Sequence, residues 1–216
     1  MPLAHVFDPL AALIVLGGTA LATVLRAGRA DCRATLQQVA ALLRRPFDPE
    51  AVRGALAPLA RDIGRDGVFR TRARPSGDAA FDAAIRAMVE GHSAAMLMMQ
   101  HGADRKRRLA RAQRAALTMA QAADLAPVFG LAGTLVSLAR LSDRGVVRAE
   151  FLGAISLAVL ATLYGLLLAN FVLAPIARAI ERRAEREEAE RQDLIDWIAA
   201  QFAAVAPRLR RGAEAA

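Results

Sequence analysis

Cysteine occurs once in this chain, at Cys32, so no internal disulfide can form and a free thiol is expected. Histidine occurs three times, at His5, His92 and His101, without metal-ligand spacing. All three are read as ordinary helix or loop residues, and no metal is expected. Aromatic residues make up 5% of the chain, so its 55% hydrophobic content rests on Ala, Leu, Val and Ile. That mixture favours helices, and no alternating strand pattern accompanies it. A phosphate-binding glycine loop, paired catalytic acids and a nucleophile elbow are all missing. Their absence argues against the enzyme classes and cofactors those motifs serve.

Charge is missing too, from three stretches of a chain that is otherwise 23% charged. The first is Pro9–Leu25, 17 residues between Asp8 and Arg26. It is near the lower limit for crossing a hydrocarbon core about 30 Å thick. A signal peptide would carry bases before such a run and a small-residue cleavage site after it. Here Asp8 precedes the run and arginines follow. In the second stretch Asp124 is the only charge between Arg114 and Arg140, and the uncharged part, Leu125–Ala139, has 15 residues. A soluble helix can look like this. It is read as a span rising from the cytoplasm, with Asp124 near the membrane surface and Pro127 just inside. The third, Phe151–Ala177, holds 27 residues without a charge, too uniformly apolar for a buried soluble helix. The expected fold is all-α and membrane-integral. It has a first transmembrane helix (1–26), a cytoplasmic helical domain (27–114), two further transmembrane helices (115–177) and a cytoplasmic C-terminal helix (178–216).

A formal charge of +8 would suit a nucleic-acid partner. The bases, however, lie between the apolar runs. There are 18 Lys or Arg from Arg26 to Arg114, 8 after Ala177, and 3 in the short loop 140–150. Basic residues favour the cytoplasmic side. The N-terminus is therefore expected outside, with the long segment and the tail inside. The cluster Arg105-Lys106-Arg107-Arg108 is read as topological or as facing anionic lipid, at roughly 1 kcal/mol per residue.

Between the first two spans, ATLQQVAALLRR reads as an amphipathic helix that stops at Pro46. A second helix is expected from Asp48 to about Gly64 with Pro49 in its first turn. The Gly- and Arg-rich stretch Gly64–Gly77 reads as a loop, and a third helix begins near Asp78 with FDAAIRAMVEG. Met96, Met98 and Met99 are read as helix packing rather than as a binding groove. The tail pairs acids and bases at three- and four-residue spacings, which suits an exposed helix. Its stripe of Ile195, Ile198 and Phe202 would pack on the cytoplasmic loop or on a neighbouring subunit.

The second and third spans place the polar residues Thr134, Thr162 and Asn170 among Gly130, Gly133, Gly165 and Ala169. Close helix packing accounts for the glycines, with Gly17 and Gly18 doing the same in the first span. The hydroxyls and the amide are the candidates for a pore wall. No span carries an acid or base at mid-depth. Proton relays through membranes use ionisable side chains, so a conducting chain must borrow its carboxylate from another molecule.

Three motifs in order resemble the MotA/TolQ/ExbB proton-channel family, nearest its MotA branch. They are Asp8-Pro9 with Leu13-Ile14-Val15-Leu16-Gly17-Gly18-Thr19; Ala126-Pro127-x-Phe129-Gly130-Leu131-x-Gly133-Thr134; and Ala161-Thr162-x-x-Gly165-x-x-Leu168-Ala169 followed by Pro175. The resemblance implies a homopentamer in the bacterial inner membrane, around single-span partners that each supply an essential Asp. It places Thr134, Thr162 and Asn170 on the ion path, and gives Pro127 and Pro175 the coupling of ion passage to helix movement. Two departures matter. MotA has four spans and the most N-terminal one has no counterpart here, so the three-span layout is that of ExbB and TolQ; yet Leu157 stands where that branch carries Glu, as suits the MotA branch. The rotor-contact pattern R-x-x-G-x-x-x-L-E reads here from Gly64 to Arg72, without the leading Arg or the closing acid, which leaves the load open. The function expected is the channel-forming subunit of an ion-driven, MotA-like motor. The alternatives are an ExbB/TolQ-like energiser of envelope transport and a non-conducting membrane scaffold. A nucleic-acid-binding protein is disfavoured.

Overall fold

The computed structural model describes the backbone of residues 8–66, 77–91, 93–139 and 148–213, and the side chains of all these but 63–66, 148–150 and 202–213. His5, His92, Phe202, Arg72 and most of the loops expected at 64–77 and 140–150 lie outside the described residues or side chains. The described elements are helices throughout: α1 Pro9–Leu42, α2 Pro49–Asp66, α3 Ala79–Gly91, α4 Ala94–Ala139, α5 Arg148–Leu167, a π-helical segment Leu168–Leu173, and α6 Ala174–Ala213.

Short polar residues start these helices. The Asp8 carboxylate accepts from the N–H groups of Leu10 and Ala11 at 2.8 and 3.0 Å, with Pro9 supplying the fixed φ of the first turn. Asp48 repeats the device for α2, accepting from Glu50 and Ala51, with Pro49 behind it. Asp78 caps α3 through Ala80 and Phe81, and the Ser93 hydroxyl caps α4 through Ala95. Asp before Pro is thus a start signal used twice. α1 breaks once, at Gly28, whose φ of 82° is open to glycine and strained for other residues.

Among the described residues three helices are long and apolar enough to cross a membrane. Each apolar run is one end of a longer rod that continues into charged sequence. α1 has 34 residues and α4 has 46, about 50 and 70 Å at 1.5 Å per residue. The boundaries expected near Pro46 and Gly64 shift accordingly: α1 ends at Leu42 and α2 reaches Asp66.

The chain divides into two compact units. The first comprises residues 1–44 and 111–182. Its interior is nearly all small: Ala11, Val15, Ala126, Ala158, Ala161, Ala169 and Ala177 are buried, while Leu13, Leu16, Leu25, Leu131, Leu135, Val159 and Phe171 point outward. A soluble helical domain does the reverse. Large apolar side chains on the outside are stable in lipid, where helices associate through small residues.

The second unit comprises 45–110 and 183–216 and is built like a soluble bundle. Val52, Leu56 and Leu59 of α2, Phe81, Ala84, Ile85 and Met88 of α3, Leu97 of α4, and Leu194, Ile195, Ile198 and Ala199 of α6 form one core. Their three- and four-residue spacings are the stripe of a helix that buries one face. The tail helix therefore buries one face against α2, α3 and the start of α4 rather than standing solvated. The methionines depart from their expected packing role: Leu97 is fully buried, whereas Met96, Met98 and Met99 are exposed. Nor is Arg108 a free member of the basic cluster, because it grips Glu188 with two hydrogen bonds.

Candidate functional site

The candidate site is the crossing of α4 and α5 in the first unit. Here glycine is required by space. A Cβ on Gly165 would lie 2.6 Å from the Ala126 carbonyl oxygen and 3.1 Å from Pro127 Cα. One on Gly130 would lie 3.0 Å from the Ala161 carbonyl oxygen and 3.2 Å from Thr162 Cα. One on Gly133 would meet the Ala161 methyl at 2.8 Å. Residue numbers rise along α4 as they fall along α5, so the two helices run antiparallel with backbones in contact. α1 completes the group. Gly18 lies under the Phe129 ring, and Ala11 and Val15 pack on Ala161, with Leu157, Tyr164 and Leu168 beside them. Leu157, in the position where the ExbB/TolQ branch has Glu, is thus part of an apolar contact. Gly17 does not share this role: it is exposed, and its nearest neighbour is Leu13 of its own helix.

The polar groups at this crossing follow one rule. The Thr134 hydroxyl donates to the Leu131 carbonyl at 2.6 Å, and the Thr162 hydroxyl donates to the Ala158 carbonyl at 3.1 Å. The Asn170 amide donates to the Leu166 carbonyl at 3.0 Å. Each spends a donor inside its own helix and keeps oxygen lone pairs for something else. The two threonine hydroxyls, their single donors spent, are left as acceptors, and acceptor oxygens are the chemistry that receives a cation or a proton-bearing water; Asn170 keeps one N–H beside its carbonyl oxygen. Thr134 and Thr162 both lie within about one helical turn of the Gly130 contact. Asn170 lies eight residues from Thr162, about 12 Å along the axis, and is exposed.

The prolines sit where helices are interrupted. Pro127 is inside α4 and denies the Ala123 carbonyl its usual donor. Pro175 lies two residues beyond the π segment, which Ala174 caps by reaching back with its N–H five residues to the Ala169 carbonyl. A π turn beside a proline is a recognised site of helix bending. The sequence reading treats 151–177 as one uniform span and does not find this turn; Pro175 after Asn170 is the signal that marks it.

Several polar residues escape the sequence reading. The Tyr164 hydroxyl accepts from the Asp8 N–H at 3.2 Å, tying the start of α1 to α5. Thr19, Thr23 and Ser137 are buried. Thr23 and Ser137 bond carbonyls one turn back, whereas the Thr19 hydroxyl has no partner. Among the described residues no group of three His, Cys, Asp or Glu is placed to hold a metal.

The profile of the MotA/TolQ/ExbB proton channel family matches residues 74–193, more than half of the chain. Motility protein A of Cereibacter sphaeroides is 27% identical over 152 residues, covering 70% of this chain and 60% of that protein. Chemotaxis protein PomA of Vibrio alginolyticus is 40% identical over 79 residues, 36% of this chain and 30% of that protein. The chain thus spans less than two thirds of the length of these curated relatives. In fold it is similar to a chain of the flagellar MotAB stator complex from Bacillus subtilis, with a TM-score of 0.81 at 22% identity over 92% of this chain and 79% of that one. The motifs at Pro9–Thr19, Ala126–Thr134 and Ala161–Pro175, the matched profile and the shared fold agree, and the chain belongs to the MotA/TolQ/ExbB proton channel family.

Proposed function

We propose that this chain is the channel-forming subunit of an ion-driven motor in the bacterial inner membrane, a MotA-like stator component that turns ion flow into mechanical work. Its N-terminus is outside, and residues 27–114 and 178–216 are cytoplasmic. It assembles as a homopentamer around single-span MotB-like partners. Each partner supplies the Asp that the spans of this chain lack. The ion passes that carboxylate and the acceptor oxygens of Thr134, Thr162 and Asn170. Protonation or neutralisation of the Asp alters its contact with the α4–α5 wall, and Pro127 and Pro175 let the helices answer by bending.

The observation that carries this reading is the set of acceptor groups left at the Gly130–Gly165 crossing. Relatives that are motility and chemotaxis proteins, and an apolar Leu157, favour the stator over an envelope-transport energiser. The test is proton or sodium flux through the chain reconstituted with its partner. Val at both Thr134 and Thr162 removes the acceptors while keeping the shape, and flux should fall by at least about tenfold, the equivalent of one lost 1.4 kcal/mol interaction. Ser at both positions should retain it. Undiminished flux in the double Val variant refutes the assignment.

A further inference from the structure

The second unit contains a buried ionisable cluster that ion conduction does not use. The Glu188 carboxylate, 3% exposed as a residue, receives both the Nε and an Nη of Arg108. Arg191 approaches the same carboxylate at 3.4 Å, Glu187 at 3.5 Å and Asp78 at 3.4 Å, and its guanidinium lies 4.3 Å from the centre of the Phe47 ring. Arg183 ties Glu187 to the Arg45 carbonyl. The cluster thus joins α3, α4 and α6. His101 is set beside it on α4, 6% exposed, with its ring 6.5 Å from that of Phe81 on α3. Its Nε2 is buried and has no hydrogen-bond partner.

We propose that this junction is a proton sensor: protonation of His101 loosens the grip of α6 on α3 and α4 within the second unit. The groups around the ring set the balance. From α4, Arg108 and Arg105 oppose a positive charge on it; from α6, Glu188 and a hydrogen bond donated by the imidazole to the Gln192 side chain favour one; α3 offers the Phe81 ring, and Asp78 at its start is engaged with Arg191. Burial is the largest influence, and with Arg108 it holds the imidazole below its usual 6.5. Among the described residues the carboxylate that favours the charge is Glu188, which already serves two arginines. A charged imidazole therefore competes with Arg108 for Glu188 and weakens the pair that ties α4 to α6.

The sign follows from linkage. The native unit binds its proton less tightly than the unfolded chain does. The contribution of neutral His101 is therefore fully present above about 6.5 and is lost as pH falls below that value, until the folded group itself titrates. The device depends on the packing of the second unit and stands whether or not the chain conducts.

Trp197, the only tryptophan, packs on the core of this unit under the Arg53 guanidinium and reports on it. The full chain is titrated from about pH 8 to about pH 5, a range in which His is the side chain that ordinarily titrates. Trp197 emission and hydrogen exchange over α6, corrected for the intrinsic pH dependence of exchange, are followed in parallel. Exchange at the core amides of α6 should rise about tenfold per pH unit below 6.5, with a concerted change in Trp197 emission. His101→Phe, which fits an apolar site, should abolish both responses, and His101→Gln serves if the Phe variant does not fold. His5→Gln and His92→Gln should keep them. A flat wild-type profile, or the same transition without His101, overturns the proposal.

Discussion

The two units of this chain are packed by opposite rules. In the first unit α4 and α5 meet backbone to backbone at Gly130 and Gly165, with alanines inside and leucines outside. Neither glycine of that crossing has room for a side chain. The second unit holds Leu56, Leu59, Ile85, Met88, Ile195 and Ile198 in a core of large side chains, next to a buried cluster of charges. Nothing there can be removed without leaving a hole or an orphaned charge. The difference is that of the two solvents. In lipid there is little gain from burying a large apolar side chain, so helices gain by approaching closely. In water the gain is in area removed from solvent, so large side chains go inside.

Substitutions that break each rule should therefore fail in opposite directions. The largest effect is expected for Gly165→Leu. Its added side chain begins at the Ala126 carbonyl and Pro127 Cα, and neither backbone can yield locally. Loss of the folded assembly is expected, seen as aggregation on size-exclusion chromatography in detergent. Glu188→Ala should follow, costing roughly 3 kcal/mol because Arg108 and Arg191 lose their shared carboxylate. That figure is at the low end for a buried pair, since both guanidiniums keep some access to water. Ile198→Ala, at 1% exposure, should cost a further class of about 2–3 kcal/mol through the cavity it leaves. Thermal unfolding measured on each variant tests the order. An Ile198→Ala variant more stable than Glu188→Ala agrees with it, and a tolerated Gly165→Leu breaks the comparison. The smallest structural effect belongs to Thr134→Val and Thr162→Val, expected to change stability by less than about 1 kcal/mol each, because the hydroxyls bond only their own helices. Their effect should appear in flux alone.

Much of this was legible in the sequence, and the reason is physical. A charge-free run has few places to go, so Pro9–Leu25 and Phe151–Ala177 mark their own helices. Asp8-Pro9 and Asp48-Pro49 mark helix starts because a carboxylate and a fixed φ meet the two needs of a first turn. Gly130 and Gly165 were identifiable as packing positions from their neighbours, though which faced which required the fold. The sequence misled where a residue type has two uses. Met96, Met98 and Met99 are apolar but exposed, while Glu188 is charged but buried beneath Arg108. Charged residues at helical spacing read as a solvated face, and only the partner 80 positions away along the chain shows otherwise. The π turn before Pro175 is invisible to periodicity because it adds a residue to the turn without changing composition.

The central claim is that the α4–α5 wall conducts only with a carboxylate lent by another molecule. Cation flux into liposomes should be measured for this chain alone, with the single-span partner proposed for it, and with the Asp proposed for that partner replaced by Asn. The expected result is flux in the second preparation only. Flux through the chain alone, or undiminished flux with the Asn partner, would contradict the claim.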